Sequence, residues 1–360
     1  MNKRDLETPA LVVDLDILER NIAAMAAFAK ESGVALRPHT KTHKTPAIAH
    51  LQMAAGAAGI CCATLGEAEV MAAAGLPDIL ITRPVVGGDK VDRACGLARH
   101  TRLAVVADDP ANVDDLAAAA DRAGVTLAVV MEVDVGLARC GVEPVSAQAT
   151  ALARRIAGHR SLRFAGLQGY EGHVVLNPDE SQREAGARRA NAAAAETAKM
   201  LEREGLPAPT VTGGGTGTHR VTGDARTSGY TEIQPGSYAT MDASYSAVLG
   251  EKPFGPALGL LTACVSRSAP GRAVIDAGLK SLTMEHGAPV FKGRPGLKYA
   301  HDSEEHGIVR CEGDDLKLGE VVELYPGHGC TTFNLHERVY GVRGERVEVV
   351  WPIAGRGRSW

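Results

Sequence analysis

The sequence has no apolar run long enough to cross a bilayer, and its first residues, Met1-Asn2-Lys3-Arg4-Asp5-Leu6-Glu7-Thr8-Pro9-Ala10, mix charges of both signs without a leader-like apolar stretch. A membrane partner is not expected, and a cytoplasmic location is. There is no basic stripe: 39 Lys and Arg stand against 43 Asp and Glu, so nucleic acid is not an expected partner. No C-x-x-C pair occurs among the seven cysteines, which fits free thiols in a reducing compartment. Fixed-period repeats and low-complexity linkers are also missing. What remains is a 360-residue chain, 45% hydrophobic, long enough for one large domain and a smaller one.

From Leu11 to about Tyr245, short β-rich runs alternate with longer alanine-rich helical ones, the pattern of a parallel sheet with crossover helices. Strand cores are expected at residues 34–37, 60–63, 79–82, 103–107, 127–133, 163–169, 210–212 and 231–234, with helices over 109–123 and 180–204 between them. Eight such units predict a TIM-type (β/α)8 barrel over 11–245. After Gly250 helices become scarce and alternating strands appear, including a closing hairpin that turns at Arg343-Gly344-Glu345. Residues 246–360, together with 1–10, are read as a second, mostly β domain.

In such a barrel the chemistry sits on loops at the carboxyl ends of the strands, and the unusual residues of this chain fall there. Arg37-Pro38-His39-Thr40-Lys41-Thr42-His43-Lys44 follows the first strand, a dense group of cations without an acidic neighbour in sequence. Lys41 is the candidate Schiff-base lysine, and His39, His43 and Lys44 are placed to lower its pKa. Solvated loop charges are the plainer alternative. Gly213-Gly214-Gly215-Thr216-Gly217-Thr218 after the seventh strand and Gly236-Ser237-Tyr238 after the eighth can cradle a phosphate, while the missing Gly-Lys-Ser/Thr ending disfavours a nucleotide P-loop. A lysine and a phosphate cup at one barrel mouth point to pyridoxal phosphate. Arg139, in Asp134-Val135-Gly136-Leu137-Ala138-Arg139, reaches the cofactor or pairs with Asp134; Tyr170 contacts the cofactor or forms core edge.

The second domain contributes Pro326-Gly327-His328-Gly329-Cys330. Read as a strand end, His328 and Cys330 share a face and can clasp one metal ion, zinc before manganese or magnesium, with water or substrate completing the shell. The pair also has an incidental reading. Glu304, Glu305 and His306 are further polar residues, either surface or supporting.

Together these segments resemble the fold-type III pyridoxal-phosphate enzymes of the D-threonine aldolase and D-serine dehydratase group, relatives of alanine racemase. The resemblance runs nearly end to end. Beyond the lysine block it rests on Thr8-Pro9-Ala10-Leu11-Val12-Val13-Asp14, Ala63-Thr64-Leu65-Gly66-Glu67-Ala68, Gly213 to Thr216, Glu232-Ile233-Gln234-Pro235-Gly236-Ser237-Tyr238, Glu304-Glu305-His306-Gly307 and His328-x-Cys330. It implies that Lys41 binds pyridoxal phosphate covalently, that Gly214, Gly215, Thr216, Gly236, Ser237 and Tyr238 hold the phosphate, and that His328 and Cys330 bind a divalent metal. It also implies a D-amino acid substrate and a homodimer. Two features depart from the aldolases of the group: the metal pair is His-x-Cys as in the dehydratases, and Leu176 replaces a second histidine six residues beyond Tyr170.

The expected reaction is therefore a lyase reaction on a D-3-hydroxy amino acid. Cys330 favours elimination to a 2-oxo acid and ammonia, with cleavage to glycine and an aldehyde as the alternative. A racemase and a non-catalytic cofactor-binding protein are the remaining readings.

Overall fold

A computed structural model describes residues 1–360, all side chains but that of Asp302 included. The chain divides into two compact units, one of residues 25–41, 48–236 and 358–360, the other of residues 1–24, 42–47 and 237–357.

The strands are β1 (Ala10–Asp14), β2 (Ala35–Leu36), β3 (Ile60–Cys62), β4 (Asp78–Ile81), β5 (Arg102–Ala107), β6 (Leu127–Glu132), β7 (Leu162–Gly169), β8 (Val211–Gly213), β9 (Glu232–Ile233), β10 (Leu258–Ala269), β11 (Arg272–Ile275), β12 (Val290–Phe291), β13 (Leu297–Asp302), β14 (Gly307–Cys311), β15 (Val321–Tyr325), β16 (Arg338–Arg343) and β17 (Arg346–Pro352). In the first unit β2 to β9 form one parallel sheet in the order β2-β9-β8-β7-β6-β5-β4-β3. A parallel bridge between His39 and Cys61, with Ala58 N–H donating to Leu36 O and Cys61 N–H to Pro38 O, joins the two ends into a TIM-like barrel. All eight expected strands are present, within two residues at each end.

Local chemistry explains the alternation. The helix Pro110–Ala123 starts where Asp109 accepts the Ala111 and Asn112 N–H groups, has proline at its first position, and stops at Gly124, whose φ of 65° needs no side chain. The helix Glu180–Arg203 is capped by Asp179 onto Gln182 N–H. Leucines, valines and alanines on such helices pack against one face of the strands, burying Leu116, Val129, Leu152, Leu167 and Ala194 in one cluster. A second, smaller cluster of Cys61, Leu80, Val106, Ala128, Val130 and Ala165 lies inside the barrel. The last three residues belong to this unit: Gly66 N–H donates to Trp360 O at 2.9 Å, Thr64 Oγ1 to Arg358 O at 2.6 Å, and Arg83 Nη2 to Ser359 O at 3.1 Å.

The other unit is mostly β, as expected. Its sheet runs β13-β14-β11-β10-β1-β16-β17, with β15 pairing β10 and β12. β1 pairs antiparallel with β10 and parallel with β16. The β16–β17 hairpin closes at Arg343↔Arg346. Among the described residues, no helix is long and apolar enough to cross a membrane.

Candidate active site

The lysine block splits in two directions. Arg37 turns toward the amino-terminal end of the barrel, where Glu232 holds its Nε at 2.8 Å and Asp78 its Nη1 at 2.6 Å. It therefore leaves the cation cluster that the sequence suggested. Lys41 lies in a 3-10 turn, Thr40–Thr42, fixed by Thr40 Oγ1 donating to Cys61 O at 2.8 Å. His39 is buried; its Nδ1 accepts the Lys41 N–H at 3.4 Å, so in the neutral ring Nε2 carries the proton, donated to Thr82 Oγ1 at 3.0 Å. His43 and Lys44, in the β unit, are both buried, and His43 Nδ1 accepts the Thr45 N–H at 3.1 Å.

Lys41 Nζ stands 5.4 Å from the centroid of the Tyr170 ring, and the Arg139 guanidinium 5.7 Å from the same ring. Tyr170 directly follows β7. Arg139 is aimed by its loop: Asp134 Oδ1 accepts the N–H groups of Gly136 and Ala138, both at 3.0 Å, and Ala138 adopts a φ of 55°. Asp134 shapes the loop through these bonds, which is a different task from the Arg139 ion pair weighed from sequence.

The glycine run after β8 is braced by a residue that sequence reasoning missed. Glu171 is fully buried and accepts Thr218 Oγ1 at 2.6 Å, Thr222 Oγ1 at 2.8 Å and the Gly214 N–H at 3.2 Å. Gly215 N–H donates to Thr218 Oγ1 at 3.1 Å. Two of the amides expected to face a phosphate thus point into the protein. The glycines are needed for close approach: a Cβ on Gly217 would lie 1.8 Å from Val175 O, and one on Gly215 2.8 Å from Val175 Cγ1. Thr216 is buried, and its carbonyl takes His219 Nδ1 at 2.7 Å. Burial lowers the His219 pKa to about 4, against that hydrogen bond. Gly236 follows β9 in the barrel unit, whereas Ser237 and Tyr238 open a 3-10 turn of the other unit, where Tyr238 is fully buried edge-on to Phe254.

Under the lysine turn runs a polar chain. Gln168 Nε2 donates to Glu132 and, at 3.3 Å, to Thr82 O; Gln234 Nε2 bonds Gln168 Oε1 at 3.0 Å and Thr212 Oγ1 at 2.9 Å; Thr212 Oγ1 donates to Glu232 at 2.9 Å. Burial pushes the Glu132 carboxyl up to about 8; Gln168 and Arg139 oppose that, while Asp108 and Asp134 add to it. The legible signal was position: Glu132, Gln168, Thr212 and Glu232 are polar residues in otherwise apolar buried strands.

In the β unit, His328 and Cys330 are together, but by a different geometry than expected. His328 is the N-cap of the helix Gly329–Leu335 and Cys330 its second residue, so a helix turn rather than strand alternation joins them. Asp242 accepts the Gly329 N–H at 2.9 Å, and Cys330 Sγ lies 3.5 Å from Thr42 Oγ1. His328 Nδ1 is 2.7 Å from Glu285 Oε1, and a side-chain hydrogen bond links the ring to Cys330. Burial pulls the His328 pKa down, but Cys330, Asp242 and Glu285 outweigh it and bring it to about 9. Among the described residues no cluster of three or more His, Cys, Asp or Glu side chains forms a metal cage. Glu305 is an exposed partner of Lys280 at 2.7 Å, in the turn with Glu304 and His306.

The residues present fit the implied groups. An amine and a guanidinium converging on one aromatic ring beside a tightly packed glycine loop suit an anionic, lysine-bound aromatic cofactor. An imidazole oriented by a carboxylate beside a thiol suits a divalent metal.

The chain matches the profile of the alanine racemase N-terminal domain over residues 13–244 and that of a serine dehydratase domain over 257–342. It is 43% identical to a D-threonine aldolase of an Arthrobacter species, covering 98% of this chain and 94% of that protein. The crystal structure of D-threonine aldolase from Filomicrobium marinum is 41% identical, with a TM-score of 0.96 over 99% of this chain and 98% of that one. A D-threo-3-hydroxyaspartate dehydratase structure, with a cysteine changed to alanine and described as the metal-free form, is 28% identical, with a TM-score of 0.91 over the full length of both chains. On this similarity, which spans both units, the chain belongs to the D-threonine aldolase and D-serine dehydratase family of pyridoxal-phosphate-dependent lyases, built on the alanine-racemase-like fold.

Proposed function

We propose that the protein cleaves D-3-hydroxy amino acids of the D-threonine type to glycine and an aldehyde. One observation carries the choice of reaction: the D-threonine aldolase relative is 43% identical over 98% of the chain, against 31% over 91% for a D-threo-3-hydroxyaspartate dehydratase of a Delftia species. Taken alone, Cys330 favours elimination; the higher identity to the aldolase supports the opposite order.

When bound, pyridoxal phosphate supplies an electron sink for the bond broken at the α-carbon, and a divalent metal supplies a Lewis acid for the β-oxygen. Lys41 provides the amine that anchors the cofactor, on a turn that His39 and Thr82 hold in place. Tyr170 and Arg139 orient the ring. Glu171 keeps the glycine loop in its packed form. His328 and Cys330 would hold the metal, with Glu285 fixing the imidazole.

Elimination to a 2-oxo acid and ammonia is the second reading, favoured by Cys330, because the dehydratase relative described as metal-free is the one that has lost a cysteine. Incubating the cofactor-loaded protein with D-threonine and with D-serine, with and without chelator, separates the two. Glycine and acetaldehyde from D-threonine are expected, with loss on chelation. Oxo acid and ammonia as the main products would overturn the aldolase reading, and chelator-insensitive turnover would remove the metal from it. The homodimer implied by the resemblance belongs to the same reading and is checked by sedimentation.

A further inference from the structure

A TIM barrel interior is ordinarily filled by layers of bulky branched side chains. Here the layers toward the amino-terminal ends of the strands are thin. Ala104, Ala128 and Ala165 stand where such residues are usual, and a cavity of about 800 Å³ opens at that end. Its size suits a small ligand.

The cavity is cationic. Arg37, Arg99, Arg102 and Arg163 line it, against the two carboxylates of Asp78 and Glu232. Asp78 is divided between Arg37 at 2.6 Å and Arg102 at 3.2 Å, and Glu232 already holds Arg37 at 2.8 Å. Among the described residues Arg163, the second residue of β7, has no carboxylate partner. Arg99 donates to Ala123 O at 3.1 and 2.9 Å and Arg102 is largely exposed, so the guanidinium with donors to spare at the rim is that of Arg163, and an oxyanion bound there accepts its paired N–H groups beside Arg102. The position is remote from the lysine: Arg163 and Tyr170 sit near opposite ends of β7, about 23 Å apart along an extended strand.

We propose that this hollow is a second binding site, for a small polyvalent oxyanion, either a dicarboxylate or a phosphate, at the end of the barrel opposite Lys41. It rests on the barrel geometry and stands whichever lyase reaction the protein performs.

Isothermal titration of the cofactor-loaded protein with inorganic phosphate, and separately with succinate, tests it in the wild type, in Arg163→Ala and in Ala165→Leu. The leucine narrows the hollow without changing a charge. One saturable site per chain is expected for at least one anion, and the tighter of the two identifies the class. Arg163→Ala should weaken it by about tenfold or more, and Ala165→Leu should weaken it as well, with the visible absorbance of the cofactor unchanged. No saturable heat with either anion overturns the proposal. So does binding that is equal in wild type and Arg163→Ala, or binding that displaces the cofactor, which would put the anion at the other end of the barrel.

Discussion

The buried carboxylate of Glu171 accepts the Thr218 hydroxyl at 2.6 Å, and that bond ties the loop after β7 to the loop after β8. Because Thr222 and the Gly214 N–H use the same carboxylate, truncation leaves the Gly214 N–H without its acceptor and throws Thr218 back on Gly215 O at 3.3 Å and Thr222 on Asn191 Oδ1 at 3.2 Å. Glu171→Ala should cost about 3 kcal/mol or more of stability, read by urea unfolding, with Glu171→Gln milder because one oxygen remains. Equal stability of wild type and the alanine variant would remove Glu171 from this role.

Gly217 has no space for a side chain, since a Cβ would lie 1.8 Å from Val175 O. Gly217→Ala should shift the backbone of the loop, lose about 2 kcal/mol of stability and weaken pyridoxal phosphate binding, as followed by fluorescence titration. Gly205→Ala is not an equivalent control despite its open surroundings, because its φ of 75° strains any side chain there. Gly158→Ala, in open space on a helix, is the matched substitution and should be silent or slightly stabilising.

Lys41 and Lys44 are three residues apart and fold into different units. Lys41→Ala should lose the visible absorbance of the bound cofactor after gel filtration, and Lys44→Ala should retain it. The reverse result would move the covalent anchor to Lys44.

Glu132 and His219 give opposite pH dependences of stability. The Glu132 pKa is raised to about 8, so the folded state keeps a proton that the unfolded chain releases near the ordinary glutamate value of 4.5. Its contribution is fully present below that value and is lost as pH rises toward 8, at up to about 1.4 kcal/mol per pH unit. Denaturant unfolding of the cofactor-free protein should show this fall, and Glu132→Gln should flatten it. The groups that bear on this carboxyl are Gln168, Arg139, Asp108 and Asp134, so the slope should also respond to Arg139→Gln.

For His219 the pKa is lowered from 6.5 to about 4, so the unfolded chain takes up the proton first. Its contribution is present above pH 6.5 and is lost as pH falls toward 4, again at up to about 1.4 kcal/mol per unit. His219→Gln should reduce the acid sensitivity over that window. An unchanged slope would mean that the ring is protonated in the fold.

The barrel was legible because each of its strands is a short apolar run between alanine-rich helices with local caps such as Asp109 and Asp179, and such signals lie within a few residues of one another. The lysine loop and Tyr170 followed from strand ends. Features set by long-range pairing were not legible. β1 sits before the first helix in sequence, yet it pairs with β10 and β16, more than 240 residues on. His328 looked like a strand end because nothing local distinguishes a strand exit from the cap of a seven-residue helix. Glu171 was overlooked because a buried glutamate is recognisable only once Thr218, Thr222 and Gly214 are seen around it.

The hydrogen bonds from Gly66 N–H to Trp360 O, from Thr64 to Arg358 O and from Arg83 to Ser359 O place residues 358–360 against the segments that follow β3 and β4. An affinity tag or fusion partner joined after Trp360 would therefore begin at these barrel loops, whereas Met1 belongs to the other unit. Preparations tagged at one end and at the other are not interchangeable, and the amino-terminal tag leaves the Gly66 and Thr64 contacts untouched.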